Sequence, residues 1–269
     1  MERRRTEPPG LKPGDPVAEL ARLLEQHRGR AVALTGAGVS VASGIPAFRG
    51  RDGLWSRFDP EEFAHIDAFR RDPERVWSML DELYDALAEA RPNRAHQALA
   101  RLEEMGCLRA VITQNIDGLH QAAGSDPDLV LELHGTVHWV RCLSCDRRTP
   151  MREVLERVRA GEADPPCLAC GGIQKSATVS FGEALDPAVL AAAVRASRDC
   201  DLFIAAGTSL SVYPAAGLCE HALAAGARLV ILNAQPTPYD PVADAVVRTP
   251  LGEVLPRLVA HVAPTDAPA

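Results

Sequence analysis

Seventeen residues, Thr35 to Arg51 (TGAGVSVASGIPAFRGR), constrain the fold more than any other part of the chain. They follow the apolar run Ala31-Val32-Ala33-Leu34, so the segment reads as a strand feeding a glycine turn and then a helix start. Such a turn points backbone N–H groups and the positive end of a helix dipole at whatever binds there, which favours a phosphate or pyrophosphate. Gly36 and Gly38 offer freedom for φ > 0 and for close backbone approach. A full dinucleotide fingerprint has a third glycine at position 41, where this chain has Val41. No second strand ending in an acid follows about 20 residues on. The match to a generic dinucleotide motif is partial.

The rest of the chain repeats the pattern of that first strand. Short, almost unbroken apolar runs occur at 110–113, 129–133, 202–206, 229–232 and 243–247. Runs of this kind suit strands covered on both faces. Helical patterns at 94–105, 187–197, 214–225 and 251–262 separate most of them, which predicts a doubly wound α/β domain with a parallel, Rossmann-like sheet. Two segments break the alternation. Residues 61–89 read as mostly helical, with Val76, Leu80, Leu83 and Leu87 on one face, and 141–175 hold four of the seven cysteines. These insertions are expected to pack together as a smaller helical and zinc-binding lobe, 61–90 plus 141–175. The larger domain is then 15–60, 91–140 and 176–262. The Pro-, Gly- and charge-rich stretch 1–14 and the tail 263–269 read as disordered.

A net charge of −7 gives no basic patch to neutralise phosphates, so nucleic acid is not an expected partner. No run of about 18 apolar residues is present to span a membrane. No apolar stretch follows the basic N-terminus as in a secretory signal, and a cytoplasmic location is expected. In that setting cysteine pairs favour metal over disulfides. Cys142-Leu-Ser-Cys145 and Cys167-Leu-Ala-Cys170 are two C-x2-C pairs separated by 21 residues. Each pair puts two thiolates on one tight turn, and two turns close a tetrahedral shell around one zinc. Four protein ligands leave no open position, so the metal is predicted to be structural. Cys107, Cys200 and Cys219 sit in or beside apolar patterns and read as core residues.

Polar or glycine-rich residues recur where strands end: Thr113-Gln114-Asn115-Ile116-Asp117, Leu133-His134-Gly135, Gly207-Thr208-Ser209 and Asn233, with Phe181-Gly182-Glu183 between the second and third. Each has a plain reading as a cap or turn. Together they would gather on one sheet edge, where open α/β sheets bind ligands. Histidine is the side chain best suited to act as a base near neutral pH.

In the same order these segments resemble the signature of the sirtuins, NAD-dependent protein deacylases: GAG, GIP–FR, Gly53-Leu54-Trp55, TQNID, HG, four cysteines, FGE, GTSL-x-VYPAA and a late Asn. The resemblance spans about Leu20 to Leu258. It implies an actinobacterial-type deacetylase that consumes NAD, passing the acetyl group of acetyl-lysine to ADP-ribose and releasing nicotinamide. It implies NAD contacts at Gly36, Ala37, Gly38, Ser40, Phe48, Arg49, Trp55, Gln114, Asn115, Ile116, Asp117, Gly207, Thr208, Ser209, Asn233 and Leu251. It makes His134 the general base, with Asn115 and Asp117 beside it. It places acetylated protein substrates against Val179, Phe181, Gly182, Glu183 and Val212. The alternatives are a deacylase for longer aliphatic groups, an ADP-ribosyltransferase, or a zinc-ribbon interaction module that only senses nucleotide. No GDG-type motif supports a thiamine-diphosphate enzyme on a related sheet.

Ala47 replaces a frequent Asp or Thr of the family pattern, and Ser176 stands where proline is common. Family members that remove succinyl and malonyl groups carry Tyr-x-x-Arg in the helix after the cofactor loop. Here Leu80 and Leu83 fall at those positions, and no Tyr-x-x-Arg occurs in the chain. An apolar acyl pocket is expected.

Overall fold

The computed structural model describes residues 15–46 and 59–262. The strands are β1 (Ala31–Thr35), β2 (Leu108–Thr113), β3 (Val130–Glu132), β4 (Gly135–Cys142), β5 (Arg148–Pro150), β6 (Gln174–Thr178), β7 (Leu202–Ala206), β8 (Arg228–Leu232) and β9 (Ala245–Val247). The helices are α1 (Pro16–Gln26), α2 (Pro60–Phe63), α3 (Ile66–Arg71), α4 (Pro73–Glu89), α5 (Arg94–Glu104), α6 (Leu119–Ala122), α7 (Met151–Arg159), α8 (Pro187–Arg198), α9 (Leu218–Ala224) and α10 (Leu251–Val262).

Six strands form one parallel sheet in the order β3-β2-β1-β7-β8-β9. Alternation within the apolar runs decides its two faces. Ala31, Ala33, Val111, Ile204 and Val230 pack with Leu20, Leu24, Leu99, Leu102, Leu255 and Leu258 of α1, α5 and α10. Val32, Leu34, Ile112, Phe203 and Ile231 face the other way, onto Ala193, Leu218, Cys219 and Ala222 of α8 and α9. Cys107, Cys200 and Cys219 all lie in these cores, as expected. Strand order reverses between β1 and β7, so the loops leaving these two strands diverge and open a crevice at their C-terminal ends.

The two insertions share a third core. Ile66, Phe69, Val76 and Trp77 of α3 and α4 pack on Val137, Val140, Met151, Val154 and Leu155. Trp77 is fully buried and donates its indole N–H to Asp164 at 3.3 Å, and Arg159 of α7 pairs with Asp81 and Asp85 of α4. β4, β5 and β6 make an antiparallel sheet in the order β5-β4-β6. The expected domain limits at 140 and 176 fall inside β4 and β6, because these strands begin pairing right after His134.

The expected helix start after the glycine turn is not an α-helix. The chain forms two single 3-10 turns, Ala37–Val39 and Val41–Ser43, the second closed by Gly44 at φ +86°. Similarly, the helix expected over 214–225 begins with a 3-10 turn at Ala215–Gly217 and is α-helical only from Leu218.

Candidate active site

Gly36 and Gly38 sit at the crevice, but not for the φ freedom the sequence offered. Gly36 has φ −136°, and neither is among the positive-φ glycines. What each lacks is a side chain. A Cβ on Gly36 would lie 2.8 Å from Thr208 Cβ, and one on Gly38 2.8 Å from Gly207 Cα. The loops after β1 and β7 are thus pressed together, with the Gly38 N–H donating to the Gly207 carbonyl at 2.9 Å. Gly207 carries the left-handed turn at φ +63°. Gln114, leaving β2, bridges both loops: its side-chain amide donates to Thr208 Oγ1 at 2.9 Å and to the Thr35 carbonyl at 3.3 Å.

His134 lies between β3 and β4, where the chain leaves the large sheet for the small one. Its Nδ1 is 3.0 Å from the Gln114 carbonyl. A carbonyl only accepts, so Nδ1 carries the proton and Nε2 of the neutral ring is left with its lone pair. Burial lowers the His134 pKa below the ordinary histidine value, against the opposing pull of the Gln114 carbonyl. The ring is therefore neutral at pH 7, as a base requires.

Ser40 ties together two other expected site residues and one that was not expected. Its hydroxyl donates to Asp117 Oδ2 at 2.6 Å and accepts from Asn115 Nδ2 at 3.1 Å. It also lies 3.3 Å from His96 Nε2. The Asn93 N–H donates to His96 Nδ1, which fixes the proton on Nε2 and makes Ser40 the acceptor. The capping role of Asp117 is also real, since Oδ1 accepts from the Leu119 N–H at 3.0 Å. One carboxylate does both jobs.

Sequence reasoning did not single out the residues behind this layer. His96 is fully buried on α5 and His120 nearly so on α6, their rings 5.1 Å apart and edge to face. His120 Nε2 meets Thr35 Oγ1 at 2.9 Å, Thr35 Oγ1 donates to Thr113 Oγ1 at 2.8 Å, and that oxygen accepts the Asn115 N–H. Burial lowers the pKa of both histidines, that of His120 to about 3 with further help from His96. The only signal in the sequence was a histidine at an inward position of α5, among Ala95, Leu99 and Leu102.

A cavity of about 980 Å³ runs from the crevice under the small lobe. It is lined by Gly36, Ala37, Gly38, Ser40, Gln114, Asn115, Ile116, Asp117, His134, Gly207, Thr208, Ser209 and Asn233, and by Val179, Phe181, Gly182, Glu183 and Val212. Leu251 is not among the residues of this lining; it is half-buried at the start of α10 and packs against the core of α1, α5 and α10. Phe48, Arg49, Trp55 and Ala47 lie outside the described residues. One wall of the cavity comes from α4, where Val76, Met79, Leu80, Leu83 and Leu87 recur at helical spacing. Leu80 and Leu83 are half-buried and line it together. Ser176 also lines it, its hydroxyl 2.6 Å from Thr178 Oγ1.

The four paired cysteines meet at the far end of the small sheet. Their sulfurs all lie within 4.8 Å of one another, with Cys142 to Cys170 at 3.5 Å and Cys145 to Cys167 at 3.8 Å. A tetrahedral zinc with Zn–S near 2.3 Å needs sulfurs about 3.8 Å apart, so the donor set fits. Burial pushes the Cys142 thiol up, but the N–H groups of Cys145 and Ser144 outweigh it and bring it to about 6. The set is saturated by protein sulfur and stands apart from the cavity lining, which fits a structural ion.

Known proteins share this arrangement. The Sir2 family sequence profile matches residues 36–214. "NAD-dependent protein deacetylase 2" of Streptomyces coelicolor is 53% identical over 231 residues, covering 84% of this chain and 95% of that protein. A solved Sir2 variant with a deacetylated p53 peptide and 3'-O-acetyl ADP-ribose superposes with a TM-score of 0.84 at 37% identity, covering 90% of this chain and 96% of that one. A Sir2 homologue bound to NAD gives 0.82 at 43% identity, covering 91% and 93%. With its switch-point crevice, its half-buried neutral histidine and its four-cysteine knuckle, the chain belongs to the Sir2 family.

Proposed function

We infer that the chain is an NAD-dependent protein-lysine deacetylase that converts acetyl-lysine, NAD and water to lysine, nicotinamide and O-acetyl-ADP-ribose. The observation that carries the reading is the His134 imidazole, with its proton held on Nδ1 by the Gln114 carbonyl and its Nε2 left to take a proton at the cavity. The glycine-lined crevice at the C-terminal ends of β1 and β7, where the strand order reverses, holds the pyrophosphate end of NAD. Bound NAD supplies the electrophilic ribose carbon that the acetyl oxygen attacks. Asn115 and Asp117, fixed through Ser40, face the nicotinamide and ribose, and Gln114 braces the two loops around them. His134 Nε2 takes a proton from a ribose hydroxyl, so the acyl group can pass to that oxygen. Enclosure between the lobes makes the charge arising on His134 matter more than it would in water.

Zinc, held by Cys142, Cys145, Cys167 and Cys170, orders the small lobe and takes no part in the chemistry. The partner is an acetylated protein whose chain lies along Val179, Phe181 and Glu183 on one side and Val212 on the other. No described helix is long and apolar enough to cross a membrane. Cytoplasmic action suits the four reduced thiolates. The test is mass spectrometry of an acetyl-lysine peptide incubated with the protein and NAD. Equal release of nicotinamide and acetyl-ADP-ribose with peptide deacetylation is expected. Nicotinamide release without loss of the acetyl group would instead indicate NAD hydrolysis or ADP-ribosyl transfer.

A further inference from the structure

Lys175 is a buried cation that the chemistry above does not use. It lies on β6, its side chain is only 5% exposed, and it lines the cavity. An ammonium has three N–H donors, and three acceptors surround this one: the Thr178 carbonyl at 2.6 Å, the Ser176 carbonyl at 3.2 Å and Glu183 Oε2 at 3.0 Å. All three belong to 176–183, the stretch that forms the substrate-facing edge. Glu183 is held in turn by the Ser180 N–H at 2.8 Å, and its own N–H returns to the Ser180 carbonyl. Lysine and glutamate thus close a ring across the strand and the turn that follows it.

The same stretch is pinned on its two outer sides. Val179 N–H donates to the His134 carbonyl at 2.8 Å. Phe181 exchanges hydrogen bonds with Ala64 and Ile66 at the base of α3. A shift of 178–183 would therefore be felt both at the residue carrying the base and at the wall of the acyl pocket. Burial draws the Lys175 pKa below the ordinary lysine range against the pull of Glu183, and the Ser180 N–H with Lys175 outweighs burial to hold Glu183 below the usual carboxylate range. Three acceptors around one Nζ call for an ammonium there, and the Glu183 oxygen facing it for a carboxylate.

We propose that Lys175 is a positioning residue for the protein substrate: with Glu183 it buckles residues 176–183 into the shape that receives the acyl-lysine chain beside His134. This rests on the deacetylase reading. The buckle touches none of the crevice residues between β1 and β7, so it acts on peptide and not on NAD.

The test measures wild type, Lys175→Met, Lys175→Arg, Glu183→Gln and the Lys175→Met/Glu183→Gln pair with zinc bound, titrating acetyl-peptide and NAD separately. Loss of a charge-assisted bond should raise peptide KM in Lys175→Met about 10- to 100-fold. The KM for NAD should stay within about twofold, zinc content should be unchanged, and Lys175→Arg, which keeps the charge, should recover most of the peptide KM. The double variant should be little worse than either single one, since both open the same ring. Equal rises in both KM values, or an unchanged peptide KM in Lys175→Met, overturns the proposal. If Lys175→Met does not fold, Glu183→Gln carries the same expectation alone. Wild-type protein with no NAD-dependent deacetylation would fail the functional reading itself, a distinct result.

Discussion

Among the described residues His134 has no carboxylate partner to raise its pKa, only a backbone carbonyl and burial, and burial prevails. Its neutral form is the base, so the acid limb of kcat/KM should fall below the ordinary histidine value near 6.5. A limb at or above that value would contradict the assignment. His134→Ala should lower deacetylation by about 100-fold or more, while NAD binding changes only a few-fold; near-normal turnover would remove His134 from the mechanism. The residue after it is equally constrained. Gly135 has φ +70°, and a Cβ there would overlap the Ala177 carbonyl oxygen on β6. Gly135→Ala should cost at least about 2 kcal/mol and move His134 with it. Urea unfolding and turnover, measured together, should both fall. His120 supplies a pH effect of a different kind. Its folded-state pKa is about 3 against 6.5 unfolded, so below 6.5 the unfolded chain takes up a proton that the folded chain refuses. Stability that is complete above 6.5 is then lost toward pH 3, at about 1.4 kcal/mol per pH unit for this group. His120→Gln should flatten that slope between pH 6 and 4, and an unaltered slope would place the proton uptake elsewhere.

The strands of the large sheet were legible because they lie between two layers of helices and so are written as apolar runs, and β7 and α10 occupy the expected limits; β4, β5 and β6, which are mixed polar and apolar, were not. The close seat of Gly38 against the loop after β7 was not legible, because the contact lies across the crevice, where the Gly38 N–H bonds the Gly207 carbonyl and a Cβ would meet Gly207. Nor was the role of Lys175, which has no sequence periodicity and depends on carbonyls that only the folded strand presents. The cysteine spacing, by contrast, described its own geometry. Two turns carrying two thiolates each leave little else to build, and their N–H groups already favour thiolate at Cys142 and, through Ala169, at Cys167. One zinc per chain is expected, and Cys142→Ala or a strong chelator should abolish both zinc and activity. Because Trp77 and Asp81 of α4 are tied to the zinc-side elements through Asp164 and Arg159, hydrogen exchange should rise in α4 as well as in 142–170. The large sheet, with its separate cores, should stay protected. Zinc-free protein that is active and unchanged in exchange would contradict this coupling.

Specificity emerges only when both lobes are taken together, because the crevice belongs to the large sheet and the acyl-side wall to α4. Leu80 packs against the small-lobe core and, with Leu83, also lines the cavity, so a core role and a pocket role are compatible on this helix face. Around them stand Val76, Met79 and Leu87 of the same helix with Ile116 and Val137. No arginine is among the described residues that line the cavity. The one lysine among them, Lys175, has each of its three donors already engaged. A succinyl group would bring a carboxylate into this wall without a partner. The loss is several kcal/mol after relaxation, on the order of a thousand-fold in rate. An acetyl group, or a longer aliphatic chain, meets only apolar contact. The protein should therefore deacetylate well, accept aliphatic acyl-lysines, and desuccinylate very poorly. Leu80→Tyr with Leu83→Arg should raise desuccinylation relative to deacetylation, provided the melting temperature shows that the small-lobe core survives. The decisive comparison is kcat/KM for matched acetyl- and succinyl-peptides on the unaltered protein. Comparable values would mean that a cation reaches the acyl end, and the apolar wall would then not be the determinant of acyl choice.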